Sequence, residues 1–109
     1  GERSADIRQR VIRARQIQEE RYREYPGIHC NAQMTSALLA EYAQPDAKSL
    51  SLLKQAMERL NLSARAYDRI LKVARTIADL EGASVIGVPH IAEAISYRSL
   101  DRGTWGTGL

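Results

Sequence analysis

The chain has 109 residues, enough for one domain with a buried core and too few for a complete multidomain enzyme. Hydrophobic residues make up 44% and charged residues 27%, an ordinary globular composition that argues against a disordered tail or a coiled-coil rod. The net charge of +3 is too small to indicate nucleic-acid binding by itself. Thirteen of the sixteen cations are Arg, however, and seven of these lie within the first 23 residues.

The sequence lacks the signals of a membrane or secreted protein. No apolar run approaches the roughly 20 residues of a membrane-spanning helix, and the polar N-terminal segment has no signal-peptide core. The single Cys30 cannot form an intramolecular disulfide, which fits a reducing compartment. We therefore expect a cytoplasmic protein without membrane association. Because Gly1 is not an initiator Met, we also expect a fragment of a longer protein.

Apolar residues recur at helical spacing along the chain, without the alternation that is typical of strands. A first helix is predicted from Ser4, as its N-cap, to about Glu24, and Pro26-Gly27 follows as its stop. Its expected inward face recurs at three- and four-residue steps. That face consists of Ile7, Val11, Ala14 and Ile17.

Two shorter helices are predicted next. A linker over residues 28–33 leads to a short helix over about 35–42, which Gln44-Pro45 ends. A third amphipathic helix is predicted from about Asp46 or Ser49 to Leu60.

The fourth helix has the clearest boundary signals. Ser63 is a good N-cap, and Leu62 and Tyr67 occupy the two positions of a hydrophobic staple. Gly82 follows the apolar stripe as a natural C′ residue. The stripe consists of Tyr67, Ile70, Leu71, Ala74, Ile77 and Ala78.

A short extended connector over residues 85–88 precedes the last predicted helix, in which Pro89 takes the first position. Ile91, Ala94 and Ile95 of this helix are expected to face inward. The sequence thus predicts an all-α bundle of four or five helices over residues 1–102, followed by a flexible tail over 103–109.

Three cations of the fourth helix share a face that lies opposite its apolar stripe: Arg65, Arg69 and Lys72. With Ser63 as cap, Arg65 is the second helical residue, where unpaired N–H groups already make the potential positive. A helix N-terminus with a projecting Arg is a candidate phosphate site. The alternative is a solvated basic face that Asp68 and Asp79 partly neutralise.

The arginine-rich first helix offers a second candidate surface. Arg8 and Arg15 lie on one side, while the other Arg residues are spread around the helix, so no single basic stripe forms. This face either contacts the phosphate backbone of DNA or is solvated or packed against a neighbouring domain. Pairs at helical spacing are also expected: Glu19 with Arg15, Glu20 with Arg23, and Glu24 with Arg21.

The His and Cys residues do not form a metal-binding or catalytic pattern. His29, Cys30 and His90 show neither C-x-x-C nor H-x-x-x-H spacing, so we expect packing or linker roles for them and no metal site. No pair of carboxylates typical of an enzyme stands out.

Long stretches of the chain resemble a known family. The stretches LNLSARAYDRILKVARTIADLEG and HIAEAISYRSLDR, with GERSADIRQRVIRARQIQEERY and NAQM upstream, resemble the C-terminal lid domain of magnesium-chelatase-like AAA+ ATPases of the competence-associated ComM type. The resemblance covers nearly the whole chain except the tail and the region from Pro45 to Gln55.

The resemblance implies a helical lid beside a nucleotide-binding core that this chain lacks. A Ser-x-Arg at the start of the third lid helix supplies the sensor-2 arginine in related lids, and that role falls on Arg65. Arg69 and Lys72 would be accessory phosphate contacts. Arg75, expected near the edge of the apolar stripe, is the natural control position.

The resemblance further implies that the full-length parent binds ATP and Mg²⁺, forms a homo-oligomer, expected to be a hexamer, and acts in DNA processing. The chain contains no G-x-x-x-x-G-K-[ST] and no Walker B carboxylate. We therefore expect the fragment alone to retain no cofactor and no catalytic residue. Two rival hypotheses stay open, an autonomous DNA-binding module and a structural oligomerisation module.

Overall fold

The computed structural model describes residues 3–100, which contain five α-helices and one 3₁₀ turn joined by short connections. The helices are α1 (Ser4–Arg21), α2 (Ser36–Tyr42), α3 (Ala47–Arg59), α4 (Ala64–Glu81) and α5 (Val88–Leu100), and the 3₁₀ turn spans Asn31–Gln33. The predicted all-α bundle is confirmed. The predicted tail over 103–109 and the domain boundary at residue 102 lie outside the described residues.

Three helices begin at side-chain caps. Thr35, Asp46 and Ser63 each accept a hydrogen bond from the backbone N–H three residues further on, which satisfies a donor that has no partner within the helix. The prediction for Ser63 is confirmed, and of the two predicted starts of α3 it is Asp46, the N-cap before Ala47, that the structure shows. At the other end of α4, Gly82 adopts the left-handed conformation with a φ of 77°, as the C′ prediction requires.

The predicted ends of α1 are wrong by one residue at the N-cap and by three at the C-terminal end. Ser4 is the first helical residue and Arg3 is the N-cap, because the Arg3 carbonyl already accepts the N–H of Ile7 at 3.1 Å. The helix ends at Arg21 rather than Glu24, because the Tyr22 backbone leaves the helical conformation while its side chain enters the core.

Helix α4 is the central element of the bundle. It packs against α5, α1 and α2, and α3 packs against α5. An isolated parallel bridge joins Pro45 to Ile86, and the Asp46 N–H donates to the Ile86 carbonyl at 3.1 Å, which ties the start of α3 to the connector before α5. The buried Leu and Ile side chains of the core are Leu38, Leu39, Leu53, Ile70, Leu71, Ile86 and Ile91, and Tyr22 and Met34 are buried with them.

Helix α1 is buried only in its second half. Residues 4–13 are all exposed, whereas Ala14 and Gln18 are buried against the bundle. The expectation that the whole apolar face of α1 turns inward is therefore wrong, since Ile7 is 44% and Val11 38% exposed. Within the described part of the chain, no helix is long and apolar enough to cross a membrane.

Candidate functional site

The first candidate site is the N-terminal end of α4. The Ser63 hydroxyl accepts the Ala66 N–H at 3.2 Å, so the cap satisfies one of the donors at this end of the helix. Arg65 is the second helical residue and is exposed. A cation at this position is unfavourable for the helix itself, because the macrodipole is positive there. The stability of α4 therefore does not account for an arginine at this position.

The neighbouring cations lie along the same side of α4. Arg69 is exposed and Lys72 is half-buried, whereas Ile70 and Leu71 on the other side are buried in the core. The geometry thus leaves Arg65 and Arg69 at the surface and covers Lys72 in part. An anion approaching the end of α4 meets the Arg65 guanidinium and the first N–H groups of the helix together.

Asp79 does not belong to this surface. It was expected to neutralise the basic face, but its side chain is only 1% exposed, and it lies in the interior between α4 and α1. That expectation is wrong, because a buried carboxylate needs charged or hydrogen-bonding partners inside the protein, and α1 supplies one. Asp68, the other acidic residue proposed for this role, is half-buried.

Asp79 lies at the centre of a buried polar network. Arg21 donates to both of its oxygens, from Nη2 to Oδ1 at 2.8 Å and from Nη1 to Oδ2 at 2.9 Å. Arg75, one turn earlier on α4, donates from Nε to Oδ1 at 3.1 Å. This bidentate ion pair between Arg21 and Asp79 fixes the end of α1 against α4.

Asn31, in the 3₁₀ turn, completes the network. Its Nδ2 donates to Asp79 Oδ2 at 2.9 Å and to the Thr76 hydroxyl at 3.0 Å. Its Oδ1 accepts from the Tyr22 hydroxyl at 2.6 Å and from Arg21 Nη1 at 3.0 Å. Both ends of the side-chain amide are thus engaged, so its orientation is fixed by the surrounding donors and acceptors.

Arg75 connects the network to the C-terminal ends of α2 and α4. Its guanidinium donates to the carbonyls of Ala83 at 2.6 Å, Ser84 at 3.1 Å and Tyr42 at 3.4 Å. The side chain is 4% exposed, so the expectation that Arg75 lies near the edge of the stripe and can serve as a control for Arg65 is wrong. Removing it would leave three carbonyls without this donor, and the change would act on folding.

Burial and the charge of Asp79 shift the pKa values of Arg21 and Arg75 in opposite directions. Burial lowers the pKa of Arg75, the charge of Asp79 opposes this, and the nearby charge of Arg21 lowers the pKa further. Burial also lowers the pKa of Arg21, but the hydrogen bond and charge of Asp79 outweigh it and the pKa is raised. Arginine stays protonated in proteins, so the network holds two cations and one carboxylate.

Sequence reasoning missed this network. The spacing of Arg75 and Asp79, one helical turn apart, was a signal for an ion pair. Nothing in the local pattern indicated that Arg21 and Asn31, which are 58 and 48 residues from Asp79, complete it.

The surface of α1 carries the second set of candidate residues. Arg8 and Arg15 are exposed. The predicted ion pair between Arg23 and Glu20 is present. Arg21, which was expected to pair with Glu24, instead donates to Asp79.

The His and Cys residues lie in different environments. His29 and Cys30 are exposed in the linker before the 3₁₀ turn, whereas His90 is buried on α5, where Nδ1 accepts the Gly87 N–H at 2.9 Å. Residues 3–100 contain no group of three or more His, Cys, Asp or Glu side chains placed to hold a metal ion.

Comparison with known proteins gives consistent matches. The model of the family described as magnesium chelatase, subunit ChlI C-terminal, matches residues 1–98. Competence protein ComM of Haemophilus influenzae is 43% identical over 102 residues, which cover 94% of this chain and 19% of that protein. YifB of Escherichia coli is 38% identical with the same coverage. No solved structure gives a significant match.

The chain spans about a fifth of the length of these relatives, 19% in each case. The resemblance noted from the sequence is confirmed by the family match, which covers almost all of the described helices. The chain belongs to the family of magnesium chelatase ChlI C-terminal domains.

Proposed function

We propose that this chain is the helical lid of a magnesium-chelatase-like AAA+ ATPase and that Arg65 is its sensor-2 arginine. In this role Arg65 would contact the γ-phosphate of an ATP molecule held by the remainder of the parent protein. The observation that carries the proposal is the exposed position of Arg65, the second residue of α4, two residues after the Ser63 cap.

The chemistry of this helix end suits a phosphate. The guanidinium of Arg65 offers a planar set of donors that matches phosphate oxygens, and the first N–H groups of α4 add further donors. A phosphate would also reverse the unfavourable interaction of Arg65 with the macrodipole, because its negative charge is attracted to both. Arg69 and Lys72 would act as accessory contacts from the following turns.

Coupling of ATP hydrolysis to movement of the lid would follow from the difference between ATP and ADP. Arg65 would stabilise the charge that develops on the γ-phosphate during transfer, and loss of that group after hydrolysis would release the lid. ATP supplies the phosphoryl group and Mg²⁺ its charge neutralisation, both held by the remainder of the parent. The packing of α4 against α5, α1 and α2 would make the domain move as one body.

The setting of the parent protein is also part of the proposal. The Haemophilus influenzae relative is named a competence protein. On that ground, and on the family resemblance, we propose a cytoplasmic hexameric ATPase that acts in DNA processing.

The role of Arg65 is tested by ATP turnover of the full-length parent at saturating ATP. Arg65→Ala should lower turnover on the order of tenfold to a thousandfold, as loss of a charge-stabilising donor does in other enzymes. Arg65→Lys keeps the charge but loses the planar pair of donors, so it should recover only part of the loss. Because the Arg65 side chain is exposed, both variants should keep the stability of the domain within about 0.5 kcal/mol.

Lys54→Ala is the matched control, since Lys54 is an exposed cation in the middle of α3. This control should leave turnover within about twofold, as an exposed change away from the nucleotide does. Equal turnover in Arg65→Ala and Lys54→Ala would refute the proposed role of Arg65.

A further inference from the structure

The first half of α1 lies at the surface in the part of the chain that the structure describes. All ten residues from 4 to 13 are exposed, and three large apolar side chains are among them. These are Ile7, Val11 and Ile12, at 44%, 38% and 41% exposure. Isolated helices shorter than about 12–15 residues are marginal in water, so this segment gains stability from whatever covers it.

Two of these three apolar residues continue a face that is already used for packing. At about 100° per residue, Ile7 and Val11 lie on the same side of α1 as Ala14 and Gln18. Ala14 is 4% exposed and Gln18 is 9% exposed, both within the bundle. One continuous face of α1 is thus buried in its second half and open in its first.

The direction of the open half is fixed by the buried network. Arg21 is held by Asp79 at the end of α1, and the Gln18 Oε1 accepts the Asn31 N–H at 3.1 Å. A helix that is anchored at one end is already oriented before a partner binds. Such preorganisation lowers the entropic cost of docking.

The charges around this face indicate its partner. The exposed Arg8 and Arg15 border the apolar residues on one side, and residues 3–13 carry four Arg and one Asp. A second copy of the same segment would bring like charges together, which costs free energy. A DNA backbone would match the arginines but would leave Ile7 and Val11 uncovered. An apolar surface with an acidic rim matches both features.

We propose that residues 4–13 of α1 dock on an apolar, acidic-rimmed surface of the remainder of the parent protein. The relatives are about five times as long as this chain, which covers 19% of each, so such a surface has ample room outside it. The apolar contact comes from Ile7 and Val11, and Arg8 and Arg15 pair with the rim. The inference rests on the proposed longer parent but not on the role of Arg65.

Hydrogen exchange of the full-length parent, measured without nucleotide, tests the docking. Peptides from residues 4–13 should be protected, and Val11→Glu should speed their exchange on the order of tenfold or more, because it places a charge in the apolar contact. Gln9→Glu is the matched control. It adds the same charge on the opposite side of α1 and should change exchange by less than about twofold. Ile7→Ala with Val11→Ala, which adds no charge, should act in the same direction as Val11→Glu.

The fold of the domain is monitored in the same experiment through peptides of α4, which should keep their protection in every variant. Free exchange of residues 4–13 in the wild-type parent would overturn the proposal, as would equal effects of Val11→Glu and Gln9→Glu. Protection that appears only with added duplex DNA would show that the partner of residues 4–13 is DNA and would overturn the proposed protein surface. Protection that is lost on dilution would show that the partner is a second copy of the protein and would likewise overturn the proposal. Because no nucleotide is present, each of these results is independent of the test of Arg65.

Discussion

Replacing Asp79 by Asn removes the one carboxylate that the buried Arg75 and the partly buried Arg21 share. The side chain is 1% exposed and receives four hydrogen bonds: two from Arg21, one from Arg75 and one from Asn31. An amide keeps the shape but loses the charge, and its NH₂ group faces donors instead of acceptors. Two guanidinium groups are then left close together without a counter-charge.

The expected cost follows from this arrangement. Breaking a buried ion pair by removing one partner costs about 3–5 kcal/mol, because an uncompensated charge stays buried. A whole domain of this size is stable by only about 5–15 kcal/mol, so Asp79→Asn should remove a large share of it. At about 4–8 °C per kcal/mol for a domain of roughly 100 residues, the melting temperature should fall by at least about 12 °C.

Urea denaturation of the 109-residue chain, followed by far-ultraviolet circular dichroism, measures this cost. Glu58→Gln is the matched control, since it makes the same chemical change at an exposed carboxylate on α3 and should alter the free energy of unfolding by less than about 0.5 kcal/mol. A loss below about 1 kcal/mol for Asp79→Asn would refute the reasoning, because the network would then add little beyond an exposed ion pair.

Two further changes test local features of the fold. The Tyr42 hydroxyl lies 3.3 Å from that of Tyr25 and is the main cause that raises the pKa of Tyr25 to about 12. Because the pKa is raised in the folded protein, this contact stabilises the fold fully below the ordinary tyrosine pKa of about 10, and that stabilisation is lost as the pH rises towards 12. Tyr42→Phe should return the pKa of Tyr25 towards about 10, and tyrosinate absorbance should then show Tyr25 ionising at lower pH. A Tyr25 midpoint that stays at about 12 in Tyr42→Phe would exclude the contact. Ser63→Ala removes the cap of α4 and should lower the free energy of unfolding by about 1 kcal/mol, whereas Ser63→Asp keeps an acceptor and should cost little; equal losses in the two variants would contradict the capping role.

The sequence predicts this fold well wherever short-range signals decide the structure. Ser63 and Gly82 mark the ends of α4 because capping and the left-handed C′ position depend on the residues beside them. The end of α1 was missed because it depends on Tyr22, which leaves the helix to bury its ring and donate to the distant Asn31. Local propensity contains no information about such a partner.

The candidate site divides in the same way. The exposed position of Arg65 follows from the cap and from helical periodicity alone. Asp79 and Arg75, by contrast, look like surface charges along α4 but are interior residues. Asp79 is held by Arg21 and Asn31, which lie far from it in the sequence. Arg75 donates to backbone carbonyls outside α4. Burial of a charged side chain depends on tertiary packing, so its position on a single helix is a poor guide.

The affinity of the full-length parent for two nucleotides tests the central claim most directly. Arg65→Ala should weaken binding of a non-hydrolysable ATP analogue about tenfold to a hundredfold, the loss expected for one charge-assisted hydrogen bond, and should leave ADP binding unchanged. ADP is the internal control because it lacks the γ-phosphate. Equal weakening of both nucleotides, or of neither, would contradict the proposal that Arg65 senses the γ-phosphate.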